Sequence, residues 1–280
     1  MPEGPSIVIL KEAIARFNRK KVLKATGNAK LDKARLEGKT ISSIKTWGKH
    51  LLICFDGFFI RIHLLMFGTY RINETKSTPL RLGLHFKSGE LNFYTAAIIL
   101  VEGSPDLVYD WKADVMNESW DAKRALSKVK QFPDELICDM LLDQDIFSGV
   151  GNIIKNEILF ITRIHPESQT GNIPTAKLKE LIKTARSNSF DFLKWKKAFE
   201  LKKHWQVYNK KICPRCNIRL HKEYPGKRKR RTFFCNNCQR KYGTKRSKER
   251  KRKGREELVE KKSQKIKGSH KAGREKEIIY

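Results

Sequence analysis

Two cysteine pairs, Cys213-Pro-Arg-Cys216 and Cys235-Asn-Asn-Cys238, constrain this chain more than any other feature. About eighteen residues separate them, a spacing that reads as a four-cysteine zinc site on a hairpin. Tetrahedral zinc needs four converging thiolates, and two tight turns supply them. With every position filled by protein, the single ion is structural rather than catalytic. The competing reading, two disulfide-forming pairs, calls for an oxidising compartment and a secretory signal. The N-terminus shows no basic stretch followed by an apolar one. Cys54 and Cys138 lie in apolar runs and read as small core residues. The expected setting is therefore intracellular and reducing: the cytoplasm, with its nucleoid.

Between the cysteine pairs runs Lys227-Arg-Lys-Arg-Arg-Thr-Phe-Phe234, a basic hairpin suited to phosphate contacts. The same sign pervades the chain. Lys+Arg 60 against Asp+Glu 30 gives a formal net charge of +30, which points to a polyanionic partner, nucleic acid before an acidic membrane surface. No apolar run is long enough to span a bilayer.

At 280 residues the chain has room for more than one core. Apolar residues at helical spacing from Ser6 to Arg16 predict an amphipathic helix. Short strands follow: Ile41–Trp47, Leu51–Phe55, Phe58–Leu65, Arg81–Phe86 and Leu91–Val101, with Asp56-Gly57 and Ser88-Gly89 as hairpin turns. Helical periodicity then takes over in Trp120–Lys130, Pro133–Leu142, Asn152–Ile161 and Thr175–Phe199. The expected divisions are 1–117, a β-sandwich or barrel-like sheet with one helix; 118–210, helical; 211–240, the zinc module; and 241–280, a basic disordered tail carrying roughly +10.

Two further stretches carry chemistry. The chain starts Met1-Pro2-Glu3-Gly4-Pro5, and removal of Met1 would leave a secondary amine that titrates at about 7.7–8.0. Attack of that amine on a sugar C1′ gives an iminium, a strong electron sink, with Glu3 beside it to move protons. The plain alternative is a frayed proline-rich terminus. The second stretch, Gly149-Val-Gly-Asn152, leads straight into an apolar-periodic helix. It suits an anion site at a helix N-terminus, and equally an ordinary tight interhelical turn.

Taken together, Pro2-Glu3, the Gly48-Lys49 turn, Gly149–Asn152 and the four-cysteine finger with Arg230 resemble the formamidopyrimidine-DNA glycosylase / endonuclease VIII family over residues 1–240. The resemblance implies a multidomain α+β protein: an N-terminal two-layer β-sandwich, a helix–two-turns–helix domain and a zinc finger. DNA would lie in the cleft between them. It also implies a monomeric DNA glycosylase/abasic-site lyase acting on double-stranded DNA that carries a damaged base or an abasic site. No cofactor beyond one structural zinc ion is needed.

Site residues follow from the same resemblance. Pro2 is the expected nucleophile, Glu3 the acid/base, and Lys49 contacts a phosphate next to the lesion. His63, Asn152 and Arg230 pinch the flanking phosphates and help hold the flipped nucleotide. Arg231 is a rival for Arg230, and a lone histidine such as His63 is otherwise a satisfied core residue. Leu65, Met66 and Phe67, ended by Gly68, are the expected apolar wedge that unstacks a base step, unless they are plain core strand.

The chain departs from the family in two places. Ser6 replaces the usual second glutamate of the terminus, which alters the polar network behind Pro2. No arginine occurs in Phe93–Leu100, where the 8-oxoguanine branch carries one. Oxidised pyrimidines are therefore the expected substrates, on the endonuclease VIII side. The alternatives are a formamidopyrimidine/8-oxoguanine enzyme, a protein that binds damaged DNA without cutting it, and a zinc-ribbon nucleic-acid module.

Overall fold

A computed structural model describes residues 2–243. Pro5 sits in the first turn of α1 (Gly4–Ala13), where its fixed φ and missing N–H do no harm. From α1, Ile7 and Leu10 point into the sheet, joined by Ile14 just past its end.

That sheet has six antiparallel strands in the order β1-β5-β6-β4-β3-β2. They are β1 (Lys24–Thr26), β2 (Ser43–Trp47), β3 (His50–Cys54), β4 (Phe58–Ile72), β5 (Leu80–Phe86) and β6 (Gly89–Glu102). The long strands β4 and β6 run through both layers of the N-terminal β-sandwich, so the layers form one continuous hydrogen-bonded surface. Its inner core unites α1 with Phe17, Leu51, Ile60, Leu82 and Phe93. A smaller cluster of Trp47, Leu52, Phe59 and Tyr109 covers the other face. Cys54 and Cys138 are both buried, as their apolar settings predict.

Four helices follow: α2 (Ala122–Lys130), α3 (Ile137–Met140), α4 (Asn152–Ile161) and α5 (Thr175–Lys197). Successive turns over 141–151 join α3 to α4, the helix–two-turns–helix arrangement. The predicted helix over Pro133–Leu142 is cut to one turn. Its first half bonds instead to the 166–170 segment: Thr170 N–H donates to the Glu135 carbonyl and Ile137 N–H to that of Ser168. Backbone partners outside the helix won there. β1 escapes a sequence reading because it is three residues long and owes its existence to pairing with β5.

The cysteine pairs flank a hairpin of β7 (His221–Glu223) and β8 (Thr232–Phe234). This finger has its own small core of Phe160, Val207, Leu220 and Phe233. Apart from residues 241–243, the predicted tail lies outside the described residues.

Candidate active site and nucleic-acid interface

The three short motifs far apart in sequence meet at one point. Gly4 N–H donates to the Gly149 carbonyl at 2.9 Å. Gly48 lies against the same turn, at φ +53°, and a Cβ there would fall 2.0 Å from Ser148 Oγ. Only glycine lets the backbones approach so closely. Asp114 holds the Gly48-Lys49 turn from below: its buried carboxylate accepts from Gly48 N–H and Met116 N–H, each at 2.9 Å. Desolvation pushes the Asp114 carboxyl up to about 6 despite those two bonds.

Glu3 is the centre of this arrangement. It is fully buried, and its two carboxylate oxygens accept from Ile153 N–H at 2.7 Å and Ile154 N–H at 3.2 Å. Those amides are unpaired donors of the first turn of α4, whose own N-cap is Gly151 and offers no side chain. A carboxylate about 150 residues away in sequence thus caps the helix. Gly151 makes room, since a Cβ on it would sit 2.3 Å from Glu3 Cδ.

Burial raises the pKa of Glu3 more than the two amides and the nearby Lys49 charge lower it. A carboxyl held above its ordinary range keeps its proton to higher pH than an exposed one, as a proton donor requires. Lys49 is pulled down, first by burial and then by Arg230 and Arg228, with Glu3 opposing. Pro2 is half-buried at this same edge, immediately before Glu3.

The finger completes the wall. Asn152 Nδ2 donates to the Arg231 carbonyl at 2.8 Å, while Asn156 Oδ1 accepts from Phe233 N–H at 2.7 Å. Asn152 Oδ1 is buried without a partner. Arg231 gives its backbone to α4 and lays its guanidinium over Phe233. Arg230 is the arginine whose charge reaches both Lys49 and Lys155.

At the other end of α4, Arg215 donates to the Phe160 carbonyl at 2.6 Å and packs on its ring. Glu157 accepts from the amides of Gln206, Val207 and Tyr208 on the way into the finger. Asp139, from α3, accepts from the amides of Lys227 and Arg228.

The ligand atoms of Cys213, Cys216, Cys235 and Cys238 all lie within 4.8 Å of one another. The Cys213 and Cys238 sulfurs are 3.8 Å apart. Two thiolates at about 2.3 Å from one tetrahedral ion stand at nearly this separation, so the set fits a thiophilic metal.

His63 faces His50 across β3 and β4, with ring centroids 5.3 Å apart, and His50 in turn meets the Tyr109 hydroxyl. Burial first and then neighbouring basic groups lower both imidazoles, His50 to about 4. Just beyond His63 the β4–β6 register breaks: Leu65–Gly68 stand opposite Thr95 alone, and the strand bulges. Leu65, Met66 and Phe67 are 43%, 56% and 79% exposed there. Those exposures exclude plain core strand. The stretch Phe93–Leu100 is the interior of β6.

Pro2, Glu3, Lys49, Asn152 and Arg230 thus gather around the N-terminus of α4. The wedge and His63 lie on the sheet, and the four cysteines cluster with Phe160 toward the other end of the helix. Sequence reasoning missed Asp114, Asp139, Lys155, Asn156, Glu157 and His50. The polar Lys155, Asn156 and Glu157 of α4 carried a signal, since they interrupt an otherwise apolar helix and need partners if it is buried.

Comparison with known proteins bears on the same residues. The formamidopyrimidine-DNA glycosylase N-terminal domain matches residues 1–96, and the formamidopyrimidine-DNA glycosylase H2TH domain matches 113–189. Endonuclease 8-like 3 of Xenopus laevis is 30% identical over 231 residues, covering 78% of this chain and 38% of that protein. Endonuclease 8-like 2 of Bos taurus is 34% identical over 197 residues, 65% of this chain and 58% of that one. The chain thus spans well under two thirds of the length of these curated relatives. Formamidopyrimidine-DNA glycosylase of Lactococcus lactis, solved non-covalently bound to DNA containing an abasic site, superposes with a TM-score of 0.76 at 25% identity. It covers 85% of this chain and 100% of its own.

Proposed function

Because the chain belongs to the formamidopyrimidine-DNA glycosylase / endonuclease VIII family, on its endonuclease 8-like side, we propose that it is a bifunctional DNA glycosylase and abasic-site lyase acting on oxidised bases. The observation that carries this reading is the buried Glu3 carboxyl. It is raised above its ordinary range, anchored on the first turn of α4 and placed next to Pro2 and Lys49.

In this reading Met1 is removed and the Pro2 nitrogen attacks C1′ of the flipped nucleotide. The C1′–base bond breaks and the base leaves with a proton supplied by Glu3. The C1′–O4′ bond then opens, O4′ taking the proton that the Pro2 amine gives up, which leaves an iminium. This draws electrons from C2′ as the C2′ proton is lost and the 3′ phosphate departs, and a second elimination releases the 5′ phosphate. Lys49, His63, Asn152 and Arg230 contact the flanking phosphates. A half-buried cation whose pKa is already lowered by burial and then by Arg230 gains from an incoming phosphate, which supports Lys49 in that role. One zinc ion on the four cysteines holds the finger and takes no part in the chemistry.

Leu65, Met66 and Phe67 enter the stack on the strength of their exposure. With no arginine along β6 to hydrogen-bond the base left behind, apolar filling discriminates weakly among opposite bases. Oxidised pyrimidines such as thymine glycol are then preferred.

Single-turnover assays on duplexes carrying thymine glycol, dihydrouracil, 8-oxoguanine or an abasic site test this reading. The expected result is strand cleavage at the abasic site and excision of both pyrimidines about tenfold faster than 8-oxoguanine, whatever base stands opposite. Fast cutting of 8-oxoguanine that depends on a paired cytosine would move the chain to the other branch. Binding of abasic DNA without cutting would reduce it to a damage-recognition protein.

A further inference from the structure

α4 carries a lysine where a lysine is costly. Lys155 is 1% exposed, one turn past Asn152 on the face that packs against the finger strand. Burial and, after it, Arg230 lower its ammonium to about 8, against the opposing influence of Cys138 and Asp139 on α3 and of Glu3. Asp139 is no dedicated counter-ion, because its oxygens already receive the Lys227 and Arg228 amides at 2.7 and 3.2 Å. A buried charge kept only for packing could be exchanged for an apolar side chain without loss.

What the ammonium does is orient a hydroxyl. Lys155 Nζ donates to Thr232 Oγ1 at 2.6 Å, and Thr232 Oγ1 donates to the Arg230 carbonyl at 2.8 Å. An ammonium has three donors and no acceptor, so the single Thr232 proton must point away from it, toward Arg230. A neutral amine can accept that proton, and the Arg230 carbonyl is then released. The sequence separation between Lys155 and Thr232 is 77 residues, which makes the relay a tie between helix and finger.

We propose that Lys155 is the positioning residue for Arg230: acting through the Thr232 hydroxyl, its ammonium fixes the Arg230 carbonyl and so the turn that offers the Arg230 guanidinium to a DNA phosphate. The proposal rests on the functional reading above, in which Arg230 contacts DNA. Function and stability then respond to pH in opposite directions. The ordinary lysine value of 10.5 applies in the unfolded chain, so the cost of the buried charge is full below pH 8 and is relieved between 8 and 10.5. Over that same rise the relay loses its direction and the grip on DNA slackens.

The test uses the full chain with Lys155→Met, Thr232→Val and Arg230→Ala, singly and combined. Cleavage of an abasic duplex and affinity for a duplex with a tetrahydrofuran abasic analogue are measured from pH 6.5 to 9.5. At pH 7 each of the first two variants is expected to lose about tenfold in both, and the pair no more than either alone. On the Arg230→Ala background Lys155→Met should cost nothing further. Wild-type cleavage should decline across pH 8, and that step should vanish in Lys155→Met, which should melt no lower than wild type.

Wild-type behaviour of Lys155→Met and Thr232→Val, or a Lys155→Met loss that adds in full to that of Arg230→Ala, would overturn the proposal alone. A wild-type chain that neither binds nor cuts DNA would overturn the functional reading and this proposal with it. Thr232→Val keeps the test decisive if Lys155→Met fails to fold, because it cuts the relay and leaves the lysine.

Discussion

Glu3→Gln is expected to leave a protein that folds and binds abasic DNA within a few-fold of wild type but excises damaged bases about a thousandfold more slowly. General acid/base groups contribute roughly 10²–10⁴ in rate, and here one carboxyl has to supply the proton. The amide keeps one of the two acceptors at the start of α4, so the helix retains part of its cap. Stability gives an independent check of the protonation state. The folded pKa of Glu3 is raised above its ordinary value of 4.5 by burial, so ionising the buried carboxyl costs stability. That cost is absent below pH 4.5, grows as pH rises from 4.5 to the folded value, and is full above it. The melting temperature of Glu3→Gln should therefore improve relative to wild type as pH is raised. Single-turnover excision and thermal melts over pH 4–8 measure both. Excision within tenfold of wild type would leave Glu3 as a helix cap and no more.

Metal removal has the second large effect. The finger owns a core of a few side chains, too small to hold a hairpin without the four cysteine ligands. Chelation should therefore release Arg230, together with the backbone at Arg231 and Phe233 that α4 holds. Affinity for abasic DNA is expected to fall about a hundredfold. The sandwich and helical cores should still melt cooperatively, since neither contains a cysteine ligand. Atomic emission on the purified chain should give one zinc. Metal-free protein that binds abasic DNA as tightly as the loaded form would contradict the role of the finger.

The motifs legible in the sequence share one property: their meaning is local. Two CxxC pairs, Met-Pro-Glu, Gly-Lys and Gly-Val-Gly-Asn each show their chemistry within a few residues. The finger's cysteine cluster and the boundaries of α4 appear in the structure where the sequence places them. What stayed hidden depends on distant partners. Nothing within a few residues of Lys155, Asn156 and Glu157 says what they meet. They are buried against the finger strand and the segment leading into it. Asp114 looks like an ordinary linker acid until Gly48, 66 residues earlier, is seen to depend on it. The helix predicted from Pro133 fails for the same reason, because segment 166–170 takes its backbone bonds. The bulge that exposes Leu65, Met66 and Phe67 is set by the register of β4 on β6, which no periodicity within β4 reveals.

The central claim is that Pro2 is the nucleophile, and trapping measures it directly. Purified protein is incubated with an abasic duplex in the presence of borohydride, which reduces the iminium to a stable amine, and the adduct is digested and sequenced by mass. The predicted result is a one-to-one covalent complex whose modified peptide begins at Pro2, with Met1 absent, and no adduct from protein that keeps Met1. An adduct on a lysine side chain such as Lys49, or trapping that proceeds equally well with Met1 in place, would contradict it.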